Sequence, residues 1–391
     1  MQIKNSYDVV IVGAGPSGST AARFAAEKGL SVLVLEKDRE IGVPVRCAEA
    51  VSHEGLIEFL EPESDFISAE ITEMSFIAPD ETRIDMLSGG KGYVLDRTRF
   101  EKRLADIAAA NGAEFLTNAY VYGLLFDDEK VSGVKFKYLD EDYEVNAKIV
   151  IAADGVESRV GRWAGLKTHV DFRDMEGAYQ VLATNVEINP KSIAFYFGEN
   201  VAPYGYLWVF PKGKNKANIG LGISGEVGKK KHAKEFLDDF MFKHFPNASI
   251  LLAVAGGVPC TPTLEKIVAP GIILVGDAAR QVNPLSGGGI ISGMIGGMIG
   301  GKTVADAILQ NDLDLIFEYE KKWNERLGKR HKMFDKVKNG IFNFDDKKFN
   351  SLAHTFEKIP YEKRTLGNLF KHALIDNPSL LLTAAKLFVM K

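Results

Sequence analysis

Cysteine is almost absent: Cys47 and Cys260 are the only two in 391 residues. Two thiols exclude a disulfide framework and equally a four-cysteine iron–sulfur cluster, and they fit a reducing, intracellular compartment. The seven histidines, His53, His169 and His232 among them, show no metal-ligand spacing, so no metal is expected. Charge of one sign is not in excess either. The 48 basic and 52 acidic residues leave a net charge of −4, which gives no electrostatic footprint for DNA or RNA. Long apolar runs are also missing. The start, MQIKNSYDVVIVGAG, passes from one lysine into a short strand and lacks the pattern of a signal peptide. The most apolar stretch, 287–301, is broken by glycines and is shorter than the roughly 20 residues that span a bilayer. It is expected to be a buried helix in a soluble or peripherally bound protein.

What the chain does have is a series of short buried-strand patterns. Its length calls for two or three structural units. YDVVIV at 7–12 is a continuous apolar run, a glycine turn follows, Ser19 to Lys28 reads as a helix, and SVLVLEK at 31–37 is a second strand. Together they make a βαβ unit. Residues 97–110 have helical spacing, and 113–151 read as a meander broken at Gly123, Asp127-Asp128 and Gly133. The stretch 171–224 is again strand-like, with turns at Asn189-Pro190 and Gly213–Asn215. A helix is expected at 229–245, closed by Pro246, and GIILVG at 271–276 reads as a strand returning to the first unit. Beyond 303 the sequence is helical and basic.

Three segments carry recognisable chemistry. In Gly13-Ala14-Gly15-Pro16-Ser17-Gly18, Gly13 permits a tight turn, Gly15 admits a pyrophosphate, and Gly18 lets the helix pack on the strand. The helix N-terminus then offers free N–H groups to phosphate. Glu36 ends the second strand, where a carboxylate accepts bonds from ribose hydroxyls. Ala153-Asp154-Gly155 and Gly276-Asp277-Ala278-Ala279 each follow a buried strand. Either aspartate alone could be a helix cap.

All three in this order resemble the fingerprint of the p-hydroxybenzoate hydroxylase-type flavoproteins. The resemblance covers roughly 1–310 and implies an α/β (α+β) fold with a discontinuous Rossmann-like FAD domain. That domain would comprise 1–64, 93–165 and 258–310, with a β-sheet substrate domain at 65–92 and 166–257 and a C-terminal helical region at 311–391. It implies FAD as cofactor, with Asp277 on the ribityl chain, and with Pro284, Gly287, Gly288, Gly289 and Ile290 along the flavin at a helix N-terminus. Gly289, Gly293, Gly297 and Gly301 share one helix face, and close helix packing is the better account of the later three.

Two further segments narrow the family. PVRCAEAVS at 44–52 and PYGYLWVFPKG at 203–213, with its YxWxFPKG pattern, look like the geranylgeranyl reductases, most closely the archaeal digeranylgeranylglycerophospholipid reductases. Those enzymes saturate polyprenyl double bonds. The resemblance implies FAD contacts at Lys37, Arg46, Cys47, Ala48, Val121 and either Arg97 or Arg99 of DRTRF. It also implies a polyprenyl lipid substrate and an external electron donor, NAD(P)H or a ferredoxin-type carrier. Tyr206, Trp208 and Phe210 alternate, so they share one strand face that either walls an apolar substrate cavity or forms an ordinary sheet core. Cys47 is either a small core residue or a group touching flavin or alkene. Pairing with Cys260 has no support from spacing. The tail LIDNPSLLLTAAKLFVMK allows an amphipathic helix, as a cover for the tunnel, a membrane-surface contact or plain packing.

An isolated alkene has no carbonyl to take up charge, so its reduction needs a positioned acid in a dry pocket. Cys47 is the sequence's candidate for positioning or proton delivery. The rival readings are a flavin monooxygenase or halogenase of the same fold, and a non-enzymatic prenyl-lipid carrier without flavin.

Overall fold

Strand Ser6–Val12 is buried along most of its length, which suits it only to the middle of a sheet. The computed structural model, which describes residues 3–374 and Leu381, places it there. It pairs in parallel with Val32–Leu35 on one side and with Glu141–Ala152 on the other. Val32–Leu35 continues in parallel to Ala113–Leu116, and Glu141–Ala152 to Ile272–Leu274. The loops leaving Ser6–Val12, Glu141–Ala152 and Ile272–Leu274 are the three glycine–aspartate segments. Parallel pairing alone therefore gathers them at one edge, the C-terminal edge where such sheets bind ligands.

Helix Pro16–Ala26 begins with proline at its first turn, and it packs its alanines on the glycine face of helix Ile290–Leu309. Helix Arg97–Ala110 spans the expected residues and is capped by Asp96, which accepts from the Arg99 N–H. The meander differs from expectation. Its strands are Ala119–Asp127, Lys130–Tyr138 and Glu141–Ala152, so Asp127-Asp128 marks a turn but Gly123 and Gly133 lie inside strands. Gly123 sits at a register shift, and a Cβ on Gly133 would stand 2.2 Å from the Val145 carbonyl oxygen. Glycine there serves close backbone approach instead of chain reversal.

The second sheet runs, edge to edge, Ser249–Pro259, Met175–Thr184, Lys216–Ser224, Tyr206–Pro211, Ser192–Tyr196, Ile67–Ile77, Arg83–Leu95 and Ala50–Ser52. Ala50–Ser52 thus joins this sheet, and Arg83–Leu95 runs in it to residue 95, across the limits expected at 64/65 and 92/93. Leu207 and Val209 point to the face covered by helix Ala233–His244, in a core with Ile219, Leu221, Phe236 and Phe240. The opposite face looks toward the first sheet.

Helix Asp346–Glu357 buries Phe356 against Met74 and Met86 of the second sheet. Helices Lys329–Ile341 and Leu366–Ala373 meet around Val337 and Ala373, beside Leu285. The expected amphipathic tail lies outside the described residues, Leu374 and Leu381 excepted. Among the described residues no helix is long and apolar enough to cross a membrane.

Candidate flavin and substrate site

The three segments touch one another. A Cβ on Gly13, whose φ is +102°, would stand 2.4 Å from the Ala153 oxygen, and one on Gly18 would stand 2.0 Å from the Gly13 oxygen. One on Gly276 would lie 2.4 Å from Ser17 Oγ. Gly15 and Gly155 have no heavy atom within 4 Å of such a Cβ, so these two glycines border open space. Helix Pro16–Ala26 has Gly15 as N-cap and no side-chain cap, which leaves its first N–H groups free toward that space. Glu36 braces the rim: Oε2 accepts from the Ala14 N–H at 2.8 Å, and Oε1 from that of Asp38 at 2.9 Å.

The aspartates do two things at once. Asp154 Oδ2 caps the following turn by accepting from the Val160 N–H at 3.0 Å, while Oδ1 is buried without a partner. Burial pushes the Asp154 carboxyl up, against the pull of those backbone N–H groups. Asp277 is likewise pushed up by burial, with Arg97 opposing. Helix Ile290–Leu309 starts at Gly289 with no side-chain cap, and Asn283 folds the preceding loop by accepting from the Leu285 N–H at 3.0 Å.

Arg97 reaches the site and Arg99 does not. Arg97 is largely buried, ion-paired to Glu101 and lying beside the Cys47 thiol, with its Nε unpartnered. Arg99 stands on the surface, paired to Asp65 at 2.5 Å. The two sit on different sides of one helix turn, which the sequence pattern alone did not separate. Lys37 is exposed and Val121 is buried in the first core. The stem of Arg46 lies on the edge strand, 3.8 Å from a Cβ on Gly256. An uncapped helix N-terminus facing an open glycine cradle, the orphaned Asp154 Oδ1 and the orphaned Arg97 Nε together fit a phosphate- and hydroxyl-rich dinucleotide such as FAD.

Cys47 is held by Gln180, to which the sequence gave no role, and through it by Trp208. Gln180 Nε2 donates to the Cys47 oxygen at 2.9 Å, and Trp208 Nε1 donates to Gln180 Oε1 at 2.9 Å. Burial pushes the thiol up, against Arg97 and the Glu49 N–H, so it stays protonated at neutral pH. Cys47 and Cys260 are both free thiols. Glu49, two residues on, accepts from the Arg97 N–H at 3.0 Å and pairs with Lys212 at 2.9 Å. The segments 44–52 and 203–213 are therefore joined by a buried ion pair. Only the register of distant strands brings Gln180 in, so no local signal announced it, whereas Glu49 stands within the 44–52 motif and its partner Lys212 within the 203–213 one.

The Tyr206 hydroxyl donates to the Ser286 oxygen at 2.5 Å, placing the aromatic strand on the glycine strip. Tyr206 and Trp208 lie on the face opposite the Leu207–Val209 core, while Phe210 is buried beside Ala48. An aromatic run leads away from Tyr206. Phe195 meets it at 5.5 Å, Phe76 stacks on Phe195 at 5.4 Å and on Phe197 at 6.1 Å, and Phe349 stacks on Phe197 at 5.4 Å. The run ends at a cavity of about 300 Å³ lined by Ala202, Tyr204, Phe344 and Phe349 with Glu199 and Asp345.

Two family models match the chain: FAD dependent oxidoreductase over residues 8–197, and the geranylgeranyl reductase catalytic domain over 174–258. Fold and site define an FAD-dependent oxidoreductase. The chain is 44% identical to digeranylgeranylglycerophospholipid reductase 2 of Methanococcoides burtonii, over 97% of this chain and 95% of that one. It is 44% identical to the corresponding reductase of Methanosarcina mazei, over 99% and 97%. A solved geranylgeranyl bacteriochlorophyll reductase-like protein from Thermoplasma acidophilum superposes with a TM-score of 0.92 at 36% identity, covering 98% and 99%. The chain belongs to the digeranylgeranylglycerophospholipid reductase family. A flavin-dependent brominase, with a TM-score of 0.72 at 18% identity over 95% of this chain and 99% of that one, shares the fold.

Proposed function

We propose that the protein reduces the C=C bonds of geranylgeranyl chains in a digeranylgeranylglycerophospholipid. The observation that carries this reading is the Tyr206–Ser286 hydrogen bond of 2.5 Å, which puts one wall of an aromatic, apolar path directly on the strip proposed to line the flavin. FAD, when bound and reduced, would supply a hydride, two electrons with one proton, to one alkene carbon. Every other part of the task falls to the chain. The loop Gly13–Gly18 and helix Pro16–Ala26 hold the pyrophosphate, Glu36 the ribose, Asp277 the ribityl chain and Arg97 an anionic part of the cofactor. Residues 284–290 would line the cofactor's ring, and the N-terminus of helix Ile290–Leu309 would stabilise negative charge on it. Cys47, as a neutral thiol, contacts the ring or the alkene and orients it. Tyr206, Trp208 and the phenylalanines beyond them hold the chain and exclude water.

Electrons come from an external carrier, NAD(P)H or a ferredoxin-type protein, and the lipid is taken from a peripheral contact with the cytoplasmic membrane face. The test is anaerobic: protein reconstituted with FAD and reduced by dithionite is mixed with digeranylgeranylglycerophospholipid, and product masses are read. Masses rising in steps of two hydrogens are expected. Product formation only with oxygen would instead indicate a monooxygenase or halogenase, and failure to take up FAD would indicate a carrier.

A further inference from the structure

The cofactor cradle leaves one ionisable cluster on the same sheet face without a task. We propose that Glu176, beside Cys260, is the acid that protonates the polyprenyl double bond, an assignment that rests on the functional reading above. Glu176 lies opposite Ser224 and Val258 on its two neighbouring strands. Alternation along its own strand puts it on the face of Gln180, whose amide holds Cys47. Gly222 leaves space for it, since a Cβ there would come within 2.9 Å of Glu176 Oε2. The Cys260 thiol lies beside the carboxyl. A Cβ on Gly287 would stand 3.8 Å from Cys260 Sγ and 3.9 Å from the Tyr206 hydroxyl. The pair therefore borders the glycine strip at the start of the aromatic path.

The groups facing Glu176 come from three elements: Cys260 after the edge strand, Tyr206 on its own strand, and Lys338 on helix Lys329–Ile341. Lys338 also donates to the Cys260 oxygen and pairs with Asp335 at 3.2 Å. Burial lifts the carboxyl to about 7, with Lys338 and Cys260 pulling the other way. Burial also raises Tyr206, Cys260 and Cys47, so all three keep their protons. Glu176 alone among these four exchanges its proton near neutrality, as an acid that must be recharged each turnover requires.

In the step, the π bond opens. One carbon takes the carboxyl proton as the O–H bond breaks, and the other takes a hydride equivalent from reduced FAD. The carboxylate left behind faces the Lys338 ammonium, and solvent reprotonates it.

The experiment compares wild type, Glu176→Gln and Glu176→Asp, each loaded with FAD, reduced without oxygen and given digeranylgeranylglycerophospholipid. Wild-type rate should fall as pH rises through about 7. Glu176→Gln should bind FAD with unchanged affinity and spectrum but lose about 10²-fold in rate, and lose that pH limb. Glu176→Asp should be slowed yet keep a limb. A separate readout uses carboxyl-labelled protein without cofactor, where NMR should show one glutamate titrating near 7 that is missing from Glu176→Gln. Wild-type rate and limb in Glu176→Gln, or no such titrating signal, would overturn the inference. If Glu176→Gln does not fold, the Glu176→Asp limb and the wild-type titration decide. A wild type that leaves the lipid unreduced sinks the functional reading and this inference together, whereas a wild type matched by Glu176→Gln sinks the inference alone.

Discussion

A partly buried carboxyl without a fully matching cation weakens the folded chain whenever it must ionise, and Glu176 is such a group. Its ordinary value is 4.5, and burial lifts it to about 7 in the folded protein. Below 4.5 both states hold the proton, and nothing is lost. Between the two values the folded state binds more protons than the unfolded one, so stability falls as pH rises, and the loss is complete above about 7. That span corresponds to about 3 kcal/mol. Glu176→Gln removes this term. Its melting temperature relative to wild type should therefore climb as pH is raised from about 4.5 to about 8. Parallel melting-temperature curves for the two proteins would show that Glu176 titrates normally. The residue also marks where sequence reading stopped. Glu176 and Gln180 sit in an unremarkable strand, and their chemistry comes from partners on other elements, Cys260, Lys338, Trp208 and the Cys47 loop.

At the level of elements, helix Ile290–Leu309 is fitted to helix Pro16–Ala26 by glycines of unequal importance. A Cβ on Gly297 would stand 2.2 Å from the Ser17 oxygen, a backbone atom that moves only if its helix does. Gly297→Ala should cost about 1–3 kcal/mol as overpacking, and should weaken FAD binding because Ser17 belongs to the phosphate loop. One turn earlier, a Cβ on Gly293 would meet its nearest neighbours at 3.6 Å, an ordinary contact. Gly293→Ala should be neutral or slightly stabilising, by up to about 1 kcal/mol from helix propensity. Melting temperatures and FAD titrations of the two variants should diverge; equal effects would refute the packing argument. This helix also shows what local sequence can reveal. Glycine at four-residue spacing announces a close helix contact, as a buried apolar run before Gly-x-Gly announces a strand and phosphate loop. Gly123 and Gly133 were misleading because a lone glycine in a strand fits a turn, a register shift as at Gly123, or a close backbone approach as at Gly133, and only the neighbouring strand decides among them.

Across the whole molecule, Glu49 ties the helix that carries Arg97 to the second sheet. Its backbone is strained, at φ +72°, and its carboxylate is buried. The carboxylate accepts from the Arg97 N–H of the cofactor side, and from Lys212 and Asn218 of the second sheet. Lys212 in turn donates to the Leu95 oxygen. The sequence displayed CAEA and FPKG as separate motifs, and their joint meaning is this bridge, which also sets the position of Cys47 two residues away. Lys212→Met strips the cation from a buried carboxylate and should cost about 3–5 kcal/mol, because the remaining charge keeps only neutral donors, the Arg97 N–H and Asn218. Adding Glu49→Gln to that variant should recover part of the loss, since the two sites are coupled. The urea midpoint gives the stability of each protein, and flavin titration gives the affinity of the assembled site. If the bridge orients the two sheets, Lys212→Met lowers both, and the double variant regains stability more fully than flavin affinity, since with the Lys212 ammonium gone no ion pair ties the Cys47 loop to the second sheet. A single variant whose unfolding free energy falls by less than about 1 kcal/mol, with unchanged flavin affinity, would place the joint between the sheets elsewhere.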